Sequence, residues 1–152
     1  MTTDSTESTD LPKGTLAYIE DNDADAMMIE TAIQQSNCLY TPSRYVDVTA
    51  FLDQFGAAGA DKGVQPGAIL LDINLPNRSG FEILETVRQT FTRREVPIAV
   101  FSGGENKADI TRAYNLGANL YLNKPMNFPE YRRRISGVCD FFIRLNRSVK
   151  TE

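Results

Sequence analysis

The sequence predicts a doubly wound α/β domain built on a five-stranded parallel sheet. Short apolar runs alternate five times with stretches of helical periodicity. The run Ala68-Ile69-Leu70-Leu71 is apolar throughout, as a strand covered on both faces requires, and it ends on the acid Asp72. Pro76 and Gly80 then mark a turn into the next helix. A carboxylate is costly to bury unpaired. Asp72 therefore belongs at the strand's carboxyl end, facing the crevice where open parallel sheets bind their ligands. Right-handed crossovers leave few arrangements, and the flavodoxin-like strand order 2-1-3-4-5, with helices on both faces, is the expected one.

The elements follow in order. Residues 1–14 are rich in Ser, Thr and Asp and read as a disordered tail, leaving 15–149 as the folded domain. Thr15 to Ile19 is the first strand and runs into Glu20-Asp21-Asn22-Asp23. A helix capped by Asn22 or Asp23 follows, with Met27, Ile29, Ala32 and Ile33 at helical spacing. Leu39 to Val46 is the second strand and Asp47 to Phe55 an amphipathic helix. Residues 56–63 have loop composition. After the third strand, Gly80 leads into a helix with Phe81, Ile83, Leu84 and Val87 inward. Pro97 to Phe101 is the fourth strand, ending on Ser102-Gly103-Gly104. The next helix, from Glu105 to Leu116, stops at Gly117, a suitable C′ residue. Ala118 to Leu122 is the fifth strand, ending Asn123-Lys124-Pro125. The last helix, Phe128 to Val149, carries Tyr131, Ile135, Val138, Phe142, Leu145 and Val149 in steps of four and three, a core stripe. It is longer than the sheet's flank needs, so its distal end is a candidate face for a second copy or a partner. Arg132-Arg133-Arg134 reads as a solvated face.

Composition narrows the chemistry. A length of 152 residues with 41% hydrophobic and 24% charged residues suits one soluble domain. The net charge of -4 argues against nucleic-acid binding. No segment has the apolar length to span a membrane, and the polar N-terminus is not a signal peptide, so a cytoplasmic location is expected. Cys38 and Cys139 follow no metal-ligand spacing and are expected to be free thiols in a reducing cytosol. The chain has no histidine, which removes Ser-His-Asp and Cys-His catalysis and histidine-ligated zinc.

In that topology the first strand delivers Glu20 and Asp21, the third Asp72, and the fourth and fifth Ser102 and Lys124. Three carboxylates in one crevice call for cations. Lys124 supplies one charge, and the remaining deficit suits Mg²⁺, which takes oxygen ligands and keeps waters that a phosphate can replace. A phosphate entering there meets metal, ammonium and hydroxyl, with Asp72 as the in-line nucleophile and an aspartyl phosphate as product.

The acid pair Glu20-Asp21, Asp72 in Leu71-Asp72-Ile73-Asn74-Leu75-Pro76 with Gly80, Ser102 and Lys124-Pro125 together resemble a response-regulator receiver domain of two-component signalling, from about Thr15 to Val149. The segment Tyr114 to Pro125 further resembles single-domain regulators that work with phytochrome-type sensor kinases. The resemblance implies that Asp72 accepts a phosphoryl group from a histidine kinase. It implies direct Mg²⁺ ligation by Asp21, Asp72 and the Asn74 carbonyl, with Glu20 acting through water. Ser102 would bond the phosphoryl group, Lys124 would pair with it, and Tyr121 would be the aromatic switch. Lys124-Pro125 would be a cis peptide. Such a protein is a switch rather than an enzyme with turnover, beyond its own phosphorylation and autodephosphorylation. With no residues after Glu152 for an output domain, its signal is expected to leave through a partner, a relay or a homodimer through the C-terminal helix.

Two features depart from the family pattern. Gly103-Gly104 after Ser102 makes that loop flexible and opens the phosphoryl group to water, so an altered lifetime is expected. The last helix has Phe141-Phe142 where the phytochrome-linked group carries Phe-Trp. Other readings fit less well. An aspartate-nucleophile phosphatase needs a second acid where Asn74 stands, and a flavodoxin-like nucleotide site would not place Glu20-Asp21-Asn22-Asp23 in its phosphate loop. The remaining alternative is an unphosphorylated receiver-like module that binds protein.

Overall fold

The computed structural model describes residues 14–36, 38–55, 65–75, 79–103 and 106–151, with side chains to 145. The elements are β1 (Thr15–Ile19), α1 (Asp23–Gln34), β2 (Thr41–Tyr45), α2 (Val48–Phe55), β3 (Ala68–Leu71), α3 (Phe81–Arg88), β4 (Ile98–Ser102), α4 (Lys107–Asn115), β5 (Leu120–Asn123) and α5 (Phe128–Thr151). All paired strands are parallel, in the expected order β2-β1-β3-β4-β5.

Alternate residues of each central strand enter different cores, because successive side chains point to opposite faces. Leu16, Tyr18, Leu70 and Phe101 pack with Ile29 and Ile33 of α1 and Ile135, Val138 and Phe142 of α5. Ala17, Ile69, Leu71 and Val100 pack on the other face with Phe51 of α2, Ile83 and Leu84 of α3 and Ala113 of α4. This two-sided burial is why β3 reads as unbroken apolar sequence.

Local chemistry sets the ends of the helices. Asn22 caps α1 by accepting the Asp25 N–H at 2.9 Å, and Asn106 caps α4 by accepting that of Ala108 at 2.8 Å. Gly117, at φ +113°, closes α4 as expected. Beside it, Arg88 gathers the loops at the amino edge of the sheet. Its guanidinium donates to the carbonyls of Gly117 (2.9 Å), Phe91 (3.2 Å), Thr92 (3.1 Å) and Val96 (2.8 Å), and to Asn119 Oδ1 (3.0 Å). Burial lowers its pKa to about 10. At the lateral edges, β2 contains Pro42, which has no N–H, and the Tyr121 N–H of β5 donates to the Tyr114 hydroxyl at 3.1 Å.

Several expectations are corrected. Cys38 and Cys139 are not free thiols but a disulfide, with Cα atoms 5.2 Å apart. Their separation of 101 residues hid a proximity that the packing of α5 beside the α1–β2 connector creates. The Lys124–Pro125 bond is trans, the lower-energy isomer. Met27 is 70% exposed, because the inward stripe of α1 runs through Ala26, Ile29, Ala32 and Ile33. The second strand begins at Thr41 because Leu39 faces solvent and Tyr40 turns inward, edge-on to Phe142. The fourth helix starts at Lys107, after its Asn106 cap, and the fifth strand spans Leu120–Asn123. The tail up to residue 13, the 56–63 loop, Pro76 and Gly104 lie outside the described residues.

Candidate functional site at the carboxyl edge of the sheet

The site begins where β3 stops. Half-buried Asp72 is held at both carboxylate oxygens: Oδ1 accepts the Asn74 N–H at 2.8 Å, and Oδ2 accepts Lys124 Nζ at 2.9 Å. Lys124 is aimed by the sheet, since its backbone N–H donates to the Ser102 carbonyl at 2.9 Å and continues the β4–β5 ladder by one residue. Charge-assisted contacts of this kind are shorter and stronger than neutral ones. Gly80 is required here for steric reasons. A Cβ on it would lie 2.6 Å from the Asp72 carbonyl oxygen and 2.7 Å from the Ile73 Cα.

Ser102, at the end of β4, is fully buried and accepts a hydrogen bond from Asn74 Nδ2 at 3.0 Å. The Tyr121 hydroxyl also hydrogen-bonds to Ser102. Burial pushes that phenol's pKa up, and the bond to Ser102 opposes the shift. Asn74, Ser102 and Tyr121 therefore form one polar chain beside the Asp72–Lys124 pair. Partly buried Tyr121 packs on the core shared with α2, α3 and α4.

The acid pair stands on the loop after β1. Burial pushes the Glu20 carboxyl above the usual range; the Asn22 N–H (3.2 Å to Oε2) and Lys124 oppose this, while Asp25 and Asp21 add to it. Asp21 is exposed. Arg44 fixes this loop by donating to the Glu20 carbonyl at 2.8 Å and pairing with Asp23 at 2.9 Å. Beneath the site, a cavity of about 10 Å³ is lined by residues including Tyr18, Glu20, Asp72, Phe101 and Lys124. That is room for about one water, not for a metabolite.

Among the described residues, no three acidic, cysteine or histidine side chains are gathered tightly enough to hold a metal alone. The expected set does not call for three such side chains, since it comprises two carboxylates and a backbone carbonyl, hard oxygen donors of the kind a small dication takes. Sequence reasoning missed two supports of this edge. Arg44 stands in an unremarkable edge strand, and Arg134, read with its neighbours as solvated, donates to the Asn123 carbonyl at 2.9 Å. Arg133 does face solvent and pairs with Glu130. Only the long reach of an arginine beside a strand end could have signalled either support.

The fold and this edge define a doubly wound signalling domain, with acids where a nucleotide binder carries a phosphate-cradling loop. The chain belongs to the response regulator receiver domain family, whose profile matches residues 16–136. It is thus a phosphoryl-accepting module of two-component signalling, a class that works with a histidine kinase. It is 27% identical over 135 residues to the response regulator Rcp1 of Synechocystis, covering 87% of this chain and 90% of that protein. The crystal structure of the Mn²⁺-bound form of Rcp1 superposes with a TM-score of 0.70 at 27% identity, over 86% of this chain and 95% of that one. The phosphorylated cyanobacterial phytochrome response regulator RcpA gives 0.69 at 30% identity, over 86% and 94%. A receiver domain from Rhodospirillum rubrum gives 0.72 at 32% identity, over 84% and 92%. No helix among the described residues is long and apolar enough to cross a membrane.

Proposed function

We propose that this receiver, residues 15–149 with an extended C-terminal helix, takes a phosphoryl group onto Asp72 from a phosphohistidine of a sensor kinase. The reading rests chiefly on the Asp72–Lys124 contact of 2.9 Å at the mouth of β3, beside buried Ser102. In the transfer, the donor N–P bond breaks as a carboxylate oxygen of Asp72 forms the new O–P bond. Lys124 then shifts its ammonium to the phosphoryl oxygens, and Ser102 leaves Asn74 to donate its hydroxyl to the same group. Tyr121 follows Ser102, which changes the α4–β5–α5 face read by the next component. Asp21, Asp72 and the Asn74 carbonyl would hold Mg²⁺, with Glu20 acting through water, and the bound ion would supply positive charge against that building on the transferring group. Hydrolysis of the acyl phosphate by the protein itself resets the switch.

The likeness to RcpA supports a phytochrome-type kinase as donor, and the length of α5 beyond the flank of the sheet offers a face for a homodimer as one form of output. The test is transfer of labelled phosphate from a panel of histidine kinases. Label is expected on the wild type and absent from Asp72→Asn. Label that persists on Asp72→Asn would remove the assignment.

A further inference from the structure

We propose that Cys38 and Cys139 form a reversible redox latch that fastens the distal half of α5 to the α1–β2 connector, independently of phosphoryl acceptance. These are the chain's only two cysteines. Cys139 sits on the inward face of α5 at 1% exposure, beside Val138 and Phe142 in the core. Cys38 lies in the connector between α1 and β2 and is only half-buried, so its sulfur is the one an external thiol can attack. Two residues on, Tyr40 packs edge-on to Phe142 with ring centroids 6.1 Å apart. The connector therefore grips α5 twice, once covalently and once by packing, and the second grip remains when the first opens.

The latch is far from the phosphoryl site. Cys139 follows the start of α5 by 11 residues, ~17 Å along the axis. Opening it loosens the far half of the helix, which Tyr40 on Phe142 still holds in place, and leaves Asp72, Lys124 and Ser102 undisturbed. The reaction is thiol–disulfide exchange with a low-molecular-weight disulfide of the glutathione class. The Cys38 thiolate attacks one sulfur of that disulfide, forming a mixed disulfide and expelling one thiolate. Cys139, deprotonated, then attacks Cys38 Sγ and expels the second. The two cysteine protons end on the two released thiols, and reduction is the reverse.

The test equilibrates the full chain in glutathione buffers of graded ratio, counts free thiols by alkylation and mass, and follows amide exchange along α5. We expect one two-electron transition between fully reduced and fully oxidised buffers. On reduction, amides after Cys139 should exchange more than about tenfold faster, and the unfolding midpoint should fall by roughly 10 °C. Cys38→Ser should reproduce the reduced state in every buffer. Cys139→Ala is the second variant, should serine at that buried position unfold the chain. Uptake of phosphate from acetyl phosphate should differ less than about twofold between the two forms. A bridge that stays closed in fully reduced buffer, or never forms in oxidised buffer, overturns the proposal. So does a transition that leaves α5 exchange unchanged. Because the titration needs no phosphoryl transfer, its failure is separable from failure of the Asp72 assignment.

Discussion

The two ends of the sheet are built on opposite principles. At the amino end, Arg88 spends its donors on four carbonyls and Asn119 Oδ1. At the carboxyl end, charge is left in excess, with Lys124 on Asp72, Glu20 pushed toward protonation and Asp21 exposed. A saturated network has one arrangement, whereas an undersatisfied one has several of similar energy. The amino end therefore serves as the frame, and the carboxyl end holds the groups that can change partners. Binding sites commonly sit on loops positioned by a rigid scaffold, and here scaffold and site occupy opposite ends of the same strands.

Removing divalent metal should break this contrast most sharply. With a chelator, phosphate uptake from acetyl phosphate should fall more than about a hundredfold while the unfolding midpoint moves little, and added Mg²⁺ should restore it. Arg88→Ala should do the reverse. Leaving several buried carbonyls without donors should cost roughly 3–5 kcal/mol in urea unfolding, with little change in uptake by the folded fraction. Gly80→Ala should affect both properties, since the new Cβ pushes on the Asp72 backbone. We expect a loss of about 2 kcal/mol and roughly tenfold slower phosphorylation. Glu130→Gln should have the smallest effect. Arg133 holds the Glu130 carboxyl below its usual range, so its contribution is present above the unfolded-state pKa and lost as pH falls through the lowered folded value. Wild type and variant should differ slightly in thermal midpoint at pH 7 and converge near the acid limit.

Much of this was legible in the sequence, for physical reasons. Unbroken apolar runs ending on Asp72 and Ser102 revealed a parallel sheet and the end that bears chemistry, because burial on both faces leaves no other pattern. Gly117 marked a helix end because a positive φ demands it. What stayed hidden depended on contacts distant in sequence. The bridge between Cys38 and Cys139 spans 101 residues, and Arg44 and Arg134 act through side-chain reach that no periodicity records. Met27 is exposed although it is apolar, and in sequence a residue one position off a helical stripe looks the same as one on it. The hydrogen bond from Asn74 to Ser102 is invisible for another reason, since the sequence marks Asn74 as a carbonyl and as a position without an acid, and nothing in it points to a partner for the side-chain amide.

The lateral margins of the sheet bear on how copies of this protein can meet. Pro42 in β2 offers an incoming strand no donor, and the Tyr121 amide of β5 is already taken by a phenol from the neighbouring helix. Both margins therefore discourage templated growth of the sheet, the route by which exposed strands recruit one another into aggregates. The helical faces, not the sheet edges, are then the surfaces through which two copies could pack.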